Sequence, residues 1–107
     1  MTSVAELQFE WMDTFSKRLT GALTRPIDKT RTILVFSPGG SIHTFFMQYD
    51  LHIFFLDAEY KIIKGYPDVK PWRVVKAPQG THYVAESAAS IPYMTVLSKL
   101  TYLMAVK

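Results

Sequence analysis

Residues 42–57 read IHTFFMQYDLHIFFLD, which is the most apolar stretch of the chain. Every second side chain from Phe45 to Phe55 is large and apolar, whereas the side chains between them are a mixture of polar and aromatic groups. A period of two is typical of an extended strand that has one face on a core. One strand of this length would be too long for so small a chain, and we therefore expect a bend near residues 48–50.

The segments on either side of this stretch predict further strands. Residues 32–36 form a short run of β-forming residues that ends at a Pro-Gly-Gly turn signal. The polar residues 57–60 separate two apolar runs, and a hairpin is predicted between residues 53–56 and 61–66. Two more short strands are predicted at residues 73–76 and 82–85, around a Pro-Gln-Gly turn.

Both ends of the chain have helical patterns. Ser3 and Glu6 have capping-box spacing, and apolar residues recur every four positions from Leu7 to Leu23, which predicts a helix over residues 4–23. After Pro92, apolar side chains follow at helical spacing and predict a C-terminal helix. The predicted fold class is α+β, a small and mostly antiparallel β-barrel or sandwich-like sheet with an N-terminal and a C-terminal helix. We expect residues 1–107 to form one domain.

Composition and charge exclude several classes of protein. The 107 residues contain no cysteine, which excludes disulfides, thiolate catalysis and Cys-ligated metal clusters. The net charge of +3 is too small to indicate nucleic-acid binding by itself. The first residues lack the basic region of a signal peptide, and no apolar run is long enough to span a membrane. We therefore expect a soluble, cytoplasmic protein.

Four blocks of the sequence resemble the domain of unknown function 192 family, a group of small uncharacterised bacterial and archaeal proteins. SIHTFFM at residues 41–47, followed by Leu56-Asp57, is similar to the family's first block, and KPWRVV at residues 70–75 is similar to its second. FSKRLTGAL at residues 15–23 and HYVAE at residues 82–86 match the first and last segments of its short members. The resemblance implies a compact, mostly antiparallel β structure and no particular activity.

The chain departs from that family's pattern at several positions. The family usually has Pro-(Leu/Ile)-Asp where Asp50-Leu51-His52 stand, and often a basic residue at the position of Gln48. A glycine commonly closes the hairpin where this chain has Tyr60, and Leu-Pro-Ala-Gly is usual at residues 87–90. The tail after Ser90 does not match the pattern. If the family's acidic residue has a chemical role, His52 either changes or abolishes that role here.

A segment rich in basic and aromatic residues favours a ligand-binding surface. Residues 61–76 hold five Lys or Arg side chains, together with Tyr66 and Trp72. Such mixtures bind single-stranded nucleic acid, and an aromatic face also suits a sugar ring. We predict that the ligand surface includes Lys70, Trp72 and Arg73, with Thr44, Gln48 and His52 from the mixed face of the central strand as a second candidate. The alternative is a solvated hairpin with Trp72 buried in the core.

A second hypothesis is a small hydrolase or metal-dependent enzyme. Imidazole and carboxylate groups serve as bases or metal ligands, and the candidates are His43, His52, Asp57 and Glu86, with Ser41 as a nucleophile. None of the histidines has the spacing of a zinc motif, and turn or strand-end hydrogen bonds explain the same residues more simply. We therefore expect no bound metal and no cofactor.

The leading hypothesis is a non-catalytic binding or interaction module. Its ligand would be an anionic polymer, a sugar or another protein. If the sheet does not cover the apolar face of the C-terminal helix, a homo-oligomer is a further expectation. The side chains of that face are Tyr93, Leu97, Leu100 and Met104.

Overall fold

The computed structural model describes residues 3–12, 28–45 and 47–106, with the side chains of Met12 and of residues 104–106 left out. A short 3-10 turn at Val4–Glu6 precedes the first strand, and one α-helix ends the described chain. The strands are β1 (Gln8–Met12), β2 (Thr32–Phe36), β3 (Ile42–His43), β4 (Leu51–Leu56), β5 (Ile62–Val69), β6 (Val74–Val75) and β7 (Tyr83–Ala88), and the helix is α1 (Tyr93–Val106).

The strands form one large sheet and one small sheet. The large sheet has the order β1-β2-β7-β4-β5, and all its neighbouring strands are antiparallel except β1 and β2. The small sheet consists of β3 paired with β6. The α+β class and the C-terminal helix are therefore confirmed. The predicted barrel is not supported, because the five strands of the large sheet form an open sheet among the described residues.

Strand β4 is the centre of the core, since all six of its residues are buried. On one face Phe54 and Leu56 pack with Val96 and Leu100 of α1. On the other face Ile53 and Phe55 pack in a second cluster, which contains Ile42 and Val75 of the small sheet. The sequence predicted only one core face for this strand. That was wrong, because α1 covers one side of β4 and the small sheet covers the other.

The long apolar stretch is interrupted as predicted. Strand β3 ends at His43 and β4 begins only at Leu51, with bends at residues 48 and 49 between them. Because of this break, the first part of the stretch leaves the large sheet and pairs with β6. The small sheet is therefore carried over the face of β4 by the same segment that supplies β4.

The predicted N-terminal helix is wrong where the structure can test it. The Ser3–Glu6 capping box is present, but it caps only the 3-10 turn. Residues 8–12 then form β1, which pairs in parallel with β2 along its whole length. Phe9 alternates with polar neighbours and packs against the core as a strand residue, so backbone pairing outweighs the helical spacing of the apolar residues. The predicted helical residues 13–23 lie outside the described residues.

The β4–β5 hairpin is confirmed, and its turn depends on Asp57. The Oδ1 atom of Asp57 accepts hydrogen bonds from the backbone N–H groups of Glu59, at 2.8 Å, and Lys61, at 2.9 Å. Tyr60 completes the turn in the left-handed region, with φ 66°. Its ring stacks on Tyr83 at a centroid distance of 4.5 Å. The side chain is thus held by an aromatic contact while its backbone is strained.

His52 joins three parts of the fold from inside the core. Strand β5 bulges opposite His52, where Asp68 has a left-handed φ of 52°. The Asp68 N–H donates to Nδ1 of His52 at 3.2 Å, so Nε2 carries the proton and donates to the Ile91 carbonyl at 2.8 Å. The imidazole therefore satisfies a backbone group at the bulge and another just before α1.

Helix α1 begins at Tyr93, as the apolar spacing after Pro92 predicts. The glycine at position 65 of β5 leaves room for the Tyr93 side chain, because a Cβ atom there would collide with the Tyr93 hydroxyl. Val96 and Leu100 are fully buried against the sheet. The described part of the chain contains no helix with the length and apolar character of a membrane span.

Replacing His52 by leucine should lower the free energy of unfolding by about 2–4 kcal/mol, because it leaves a backbone donor and a backbone acceptor without partners. Urea denaturation of the purified variant measures this loss. The exposed His82→Leu is the matched control and should change stability by about 0.5 kcal/mol or less. Equal effects of the two substitutions would contradict the structural role of His52.

Tyr60→Gly should be more stable than Tyr60→Ala by about 1 kcal/mol, which reverses the usual order of the two residues. Both variants lose the stacking on Tyr83, so the difference between them isolates the left-handed backbone. Thermal unfolding of the two proteins under the same conditions measures the difference. An alanine variant as stable as the glycine variant would show that the backbone at position 60 is not strained.

Candidate functional site

The four residues of the enzyme hypothesis lie in separate places. His43 is exposed on β3, His52 is buried beneath α1, and Asp57 holds the hairpin turn. Glu86 lies on β7 with 6% of its surface exposed. In the large sheet Glu86 is opposite Ile53, whereas His52 is opposite Ser87, so His52 and Glu86 point to opposite faces.

The remaining polar candidate, Ser41, is also committed to the fold. Its Oγ atom accepts a hydrogen bond from the Ala77 N–H at 2.9 Å, which ties the start of β3 to the end of β6. In the described part of the chain, no three His, Asp or Glu side chains are grouped closely enough to hold one metal ion. The enzyme hypothesis required these candidate residues to converge on one site, and the described structure keeps them apart.

Thr44 positions the loop that carries the predicted binding residues. Its side chain has 0% exposure, and its Oγ1 atom donates to the Lys70 carbonyl at 2.7 Å and accepts from the Arg73 N–H at 2.9 Å. Its backbone N–H donates to the Arg73 carbonyl at 2.8 Å, and its carbonyl accepts from the Trp72 N–H at 3.0 Å. Thr44 was predicted as a ligand contact, but the structure places it underneath the surface.

Trp72 belongs to a row of three aromatic rings near the surface, called here the aromatic stack. Phe45 stacks on His43 at a centroid distance of 4.6 Å and on Trp72 at 5.5 Å, with interplanar angles of 28° and 25°. Trp72 is 58% exposed and has a left-handed φ of 64°. The alternative that buries Trp72 in the core is therefore wrong. The three rings come from β3, from the segment after it and from the 70–73 loop.

A groove with a basic lining adjoins the same loop. It has a volume of about 390 Å³, and its walls include Tyr66, Lys70, Arg73 and Lys76, with one carboxylate, Asp68. We call it the basic groove. Two of the predicted ligand residues, Lys70 and Arg73, line it, and Lys76 adds a third cation. Three cations against one carboxylate give the groove a net positive charge.

The charge of Lys70 is partly balanced by Asp50. The Lys70 ammonium lies 2.9 Å from the Asp50 carboxylate, and both side chains are partly solvated. This hydrogen bond, and the charge of the carboxylate, raise the pKa of Lys70 above its usual value. Such exposed pairs contribute little to stability. Arg73 and Lys76 are exposed as well, and they are the cations better placed to meet an anion.

The sequence missed one member of this surface. Phe45 was predicted to face the core with the other apolar residues of its stretch, but it is only half-buried and stacks between His43 and Trp72. The signal was present, because the bend predicted at residues 48–50 releases the preceding residues from the alternation of β4. Gln48, the second mixed-face candidate, is exposed in the connection between β3 and β4.

A second cleft of about 360 Å³ lies near the other predicted acid, Glu86. Lys29, Tyr49, Asp50, Asp68 and residues 88–90 line it. A narrower pocket beside it reaches Glu86, and Lys29 and Tyr49 line that pocket as well. Burial, and then the negative charge of Glu86, raise the pKa of the Tyr49 hydroxyl. Lys29 lies 4.5 Å from the centre of the Tyr49 ring, and it lines both cavities.

The apolar face of α1 is used within the protein. Leu100 is fully buried, and Tyr93 and Leu97 are half-buried and pack against the same core cluster. The condition for the predicted homo-oligomer, an uncovered apolar face, is therefore not met at these positions. The Met104 side chain lies outside the described residues.

Comparison with known proteins agrees with this architecture. The model of the DUF192 family, described as "Uncharacterized ACR", matches residues 1–94. A protein of unknown function from Novosphingobium aromaticivorans is 15% identical, with a TM-score of 0.66 over 94% of this chain and 70% of the other. A crystal structure from Sinorhizobium meliloti, described as "a putative transcription regulator", is also 15% identical, with a TM-score of 0.68 over 94% of this chain and 76% of that one. No curated protein matches the chain. At this identity the two structures support the fold alone.

Replacing Thr44 by valine should destabilise the protein by about 2 kcal/mol, because the buried hydroxyl makes two hydrogen bonds to the 70–73 loop. The matched control is Thr44→Ser, which keeps the hydroxyl and should lose about 0.8 kcal/mol with the methyl group. Urea denaturation gives the free energies, and amide NMR spectra should place the changes of the valine variant at residues 70–73. Equal losses in both variants would contradict the proposed positioning by the hydroxyl.

Proposed function

The chain belongs to the DUF192 family of uncharacterised proteins, and from that premise we propose that it is a non-catalytic binding module for an anionic ligand that carries a ring. The observation that carries this proposal is that one loop, residues 70–73, contributes to both the aromatic stack and the basic groove. Lys70 and Arg73 line the groove, and Trp72, which lies between them in the sequence, stacks on Phe45. One ligand can therefore meet both.

The conformation of the loop supports a binding role. A bulky side chain in the left-handed region is unfavourable, and such strain concentrates at functional sites. Here Trp72 is held in that region by the hydrogen bonds of Thr44 to both sides of it. The strained backbone keeps a large aromatic ring on the surface, where burial of the ring does not offset the strain. The ring is presented to solvent before any ligand arrives, which reduces the entropy cost of binding.

The groove supplies the second half of the recognition. Guanidinium and ammonium groups bind phosphate, sulfate or carboxylate oxygens through charge-assisted hydrogen bonds. Arg73 and Lys76 provide such groups on the groove wall, and Lys70 adds a third. Tyr66 contributes an aromatic wall, with the Lys64 ammonium 5.6 Å from its ring centre. An anionic group in the groove would be adjacent to a ring on Trp72.

An amide NMR titration tests this proposal. Separate titrations use a short oligonucleotide, a sulfated oligosaccharide and an acidic peptide that contains tyrosine. At least one ligand should shift the amides of residues 43–45 and 70–76. Trp72→Ala should lower the affinity for that ligand by about tenfold, since aromatic stacking contributes about 1–3 kcal/mol.

Trp11→Ala is the matched control, because Trp11 is also exposed, at 48%, but contacts Tyr60 and Tyr83 instead of the aromatic stack. The Trp11→Ala variant should bind the ligand with the same affinity as the unmodified protein. Shifts confined to the cleft around Tyr49 and Ser90, or no response to any of the three ligands, would contradict the proposal.

A further inference from the structure

We infer that the basic groove binds an extended acidic peptide, which adds to β6 as a third strand of the small sheet. This inference rests on the proposed function and names its partner: the anions are carboxylate side chains, and the ring is an aromatic side chain of the same peptide. It depends on the backbone and side chains of β6, on the position of the groove and on the interruption of β5.

The backbone groups of β6 alternate between β3 and the opposite side. The carbonyl of Arg73 accepts from the Thr44 N–H at 2.8 Å, and its N–H donates to Oγ1 of Thr44 at 2.9 Å. The N–H of Ala77 donates on the same side, to the serine that precedes β3. In an antiparallel pair, such residues alternate with residues whose backbone groups point away from the partner strand. The N–H and C=O groups of Val74 and Lys76 therefore point away from β3.

The basic groove lies along this outer edge of β6. Its wall on this side consists of four consecutive residues, 73–76. Successive side chains of a strand point to opposite faces, so a groove over one face would meet only every second residue. A groove lined by all four residues therefore follows the edge of the strand. Because only β3 pairs with β6 in the described part of the chain, the outer edge directs its backbone groups at the groove.

The backbone groups of this edge favour a peptide over other anionic polymers. The edge offers N–H donors and C=O acceptors in alternation, and a second extended backbone matches both kinds. Phosphodiester and sulfate groups only accept hydrogen bonds, so they would leave the carbonyls of Val74 and Lys76 without donors. The ligand that satisfies the whole edge is therefore a peptide strand.

The side chains of β6 indicate which peptide fits. Val74 is apolar and 69% exposed, Lys76 is exposed on the same face, and Val75 between them is buried. Side chains that are neighbours across two paired strands interact, and opposite charges or apolar pairs are favourable. An added strand should therefore have an apolar residue beside Val74 and an acidic residue two positions away, beside Lys76. Arg73 supplies a second cation at the other end of β6.

Strand β5 forms the opposite wall of the groove but is a poorer partner. Pro67 has no N–H group to donate, and the N–H of Asp68 already donates to His52 inside the core. The Asp68 carboxylate also lines this wall, where it repels an acidic strand. These features leave β6 as the strand to which the peptide adds, while β5 limits the width of the groove.

Amide hydrogen exchange followed by NMR tests the pairing. The probe is the peptide Glu-Thr-Val-Thr-Glu-Tyr with blocked ends, whose acidic and apolar positions are symmetric about the valine. A saturating amount should slow the exchange of the Val74 and Lys76 amides by about tenfold, because both gain hydrogen-bond partners. The amides of Arg73 and Val75, which face β3, should change little. Protection at residues 66–70 without protection of Val74 and Lys76 would overturn the addition to β6.

Two ester analogues of the peptide test the same contact without a change in the protein. One lacks the N–H of the valine, and the other lacks the N–H of the threonine that follows it. Successive N–H groups of an extended backbone point to opposite sides, so only one of the two faces β6. That analogue should bind about fivefold more weakly, because it loses one hydrogen bond. The other should bind like the parent peptide, and equal affinities of the two analogues would overturn the strand addition.

Charge reversal at Lys76 tests the side-chain contact. Lys76→Glu should lower the affinity for the acidic peptide by about fivefold, because an opposite-charge neighbour becomes a like-charge neighbour. Lys61→Glu is the matched control, since Lys61 is an exposed lysine between β4 and β5, and it should bind the peptide two- to threefold more tightly than Lys76→Glu or better. Equal affinities of the two variants would overturn the position of the acidic residue beside Lys76.

The inference and the proposed function fail in different ways. If an oligonucleotide or a sulfated oligosaccharide shifts residues 43–45 and 70–76 and the peptide does not, the peptide inference is overturned while the proposed function stands. If the peptide adds to β6 but Trp72→Ala leaves its affinity unchanged, the strand addition stands and the ring of the proposed function is overturned. If none of the three ligands binds, both proposals fail.

Discussion

The complete burial of β4 is the constraint on which the rest of the structure depends. A strand that is apolar on both faces needs a cover on each, and its neighbours in the sheet supply none. Helix α1 covers one face with Val96 and Leu100, and the small sheet covers the other with Ile42 and Val75. The second cover can reach β4 only because the chain bends between His43 and Leu51. The candidate site therefore arises from the way the core is covered, since the small sheet and the segments next to its two strands carry the aromatic stack.

The same cover determines how rigid the candidate site is. Thr44 is the first residue after β3, and its side chain turns inward, where it reaches both Lys70 and Arg73. The loop before β6 is therefore fastened on both sides of Trp72, and the left-handed backbone at Trp72 is tolerated. A loop tied at both sides of its exposed ring loses little freedom on binding, which favours a site that does not rearrange.

The sequence predicted the local elements better than their arrangement. The hairpin around Asp57, the bend near residues 48–50 and the helix after Pro92 depend on neighbouring residues, and all three are present. The placement of β7 between β2 and β4 depends on pairing with strands far away in the chain, which no local pattern encodes. The helix predicted at residues 8–12 was wrong for the same reason, because pairing with β2 determines their conformation. For the candidate site, composition predicted Lys70, Trp72 and Arg73, whereas Phe45 and the inward orientation of Thr44 follow from the separation of β3 from the large sheet.

The backbone groups that contact His52 explain why a histidine is suited to this position. The resemblance to the family suggests an acidic residue here, but in this chain the Ile91 carbonyl lies 2.8 Å from Nε2 of His52. A carboxylate at this buried position would face another acceptor, and it would pay the cost of desolvating its charge. A neutral imidazole donates to the carbonyl and also accepts the N–H of Asp68. The family match ends at residue 94, just after Ile91. The imidazole at position 52 therefore ties the segment before α1 to β5, which a carboxylate at this position could not do.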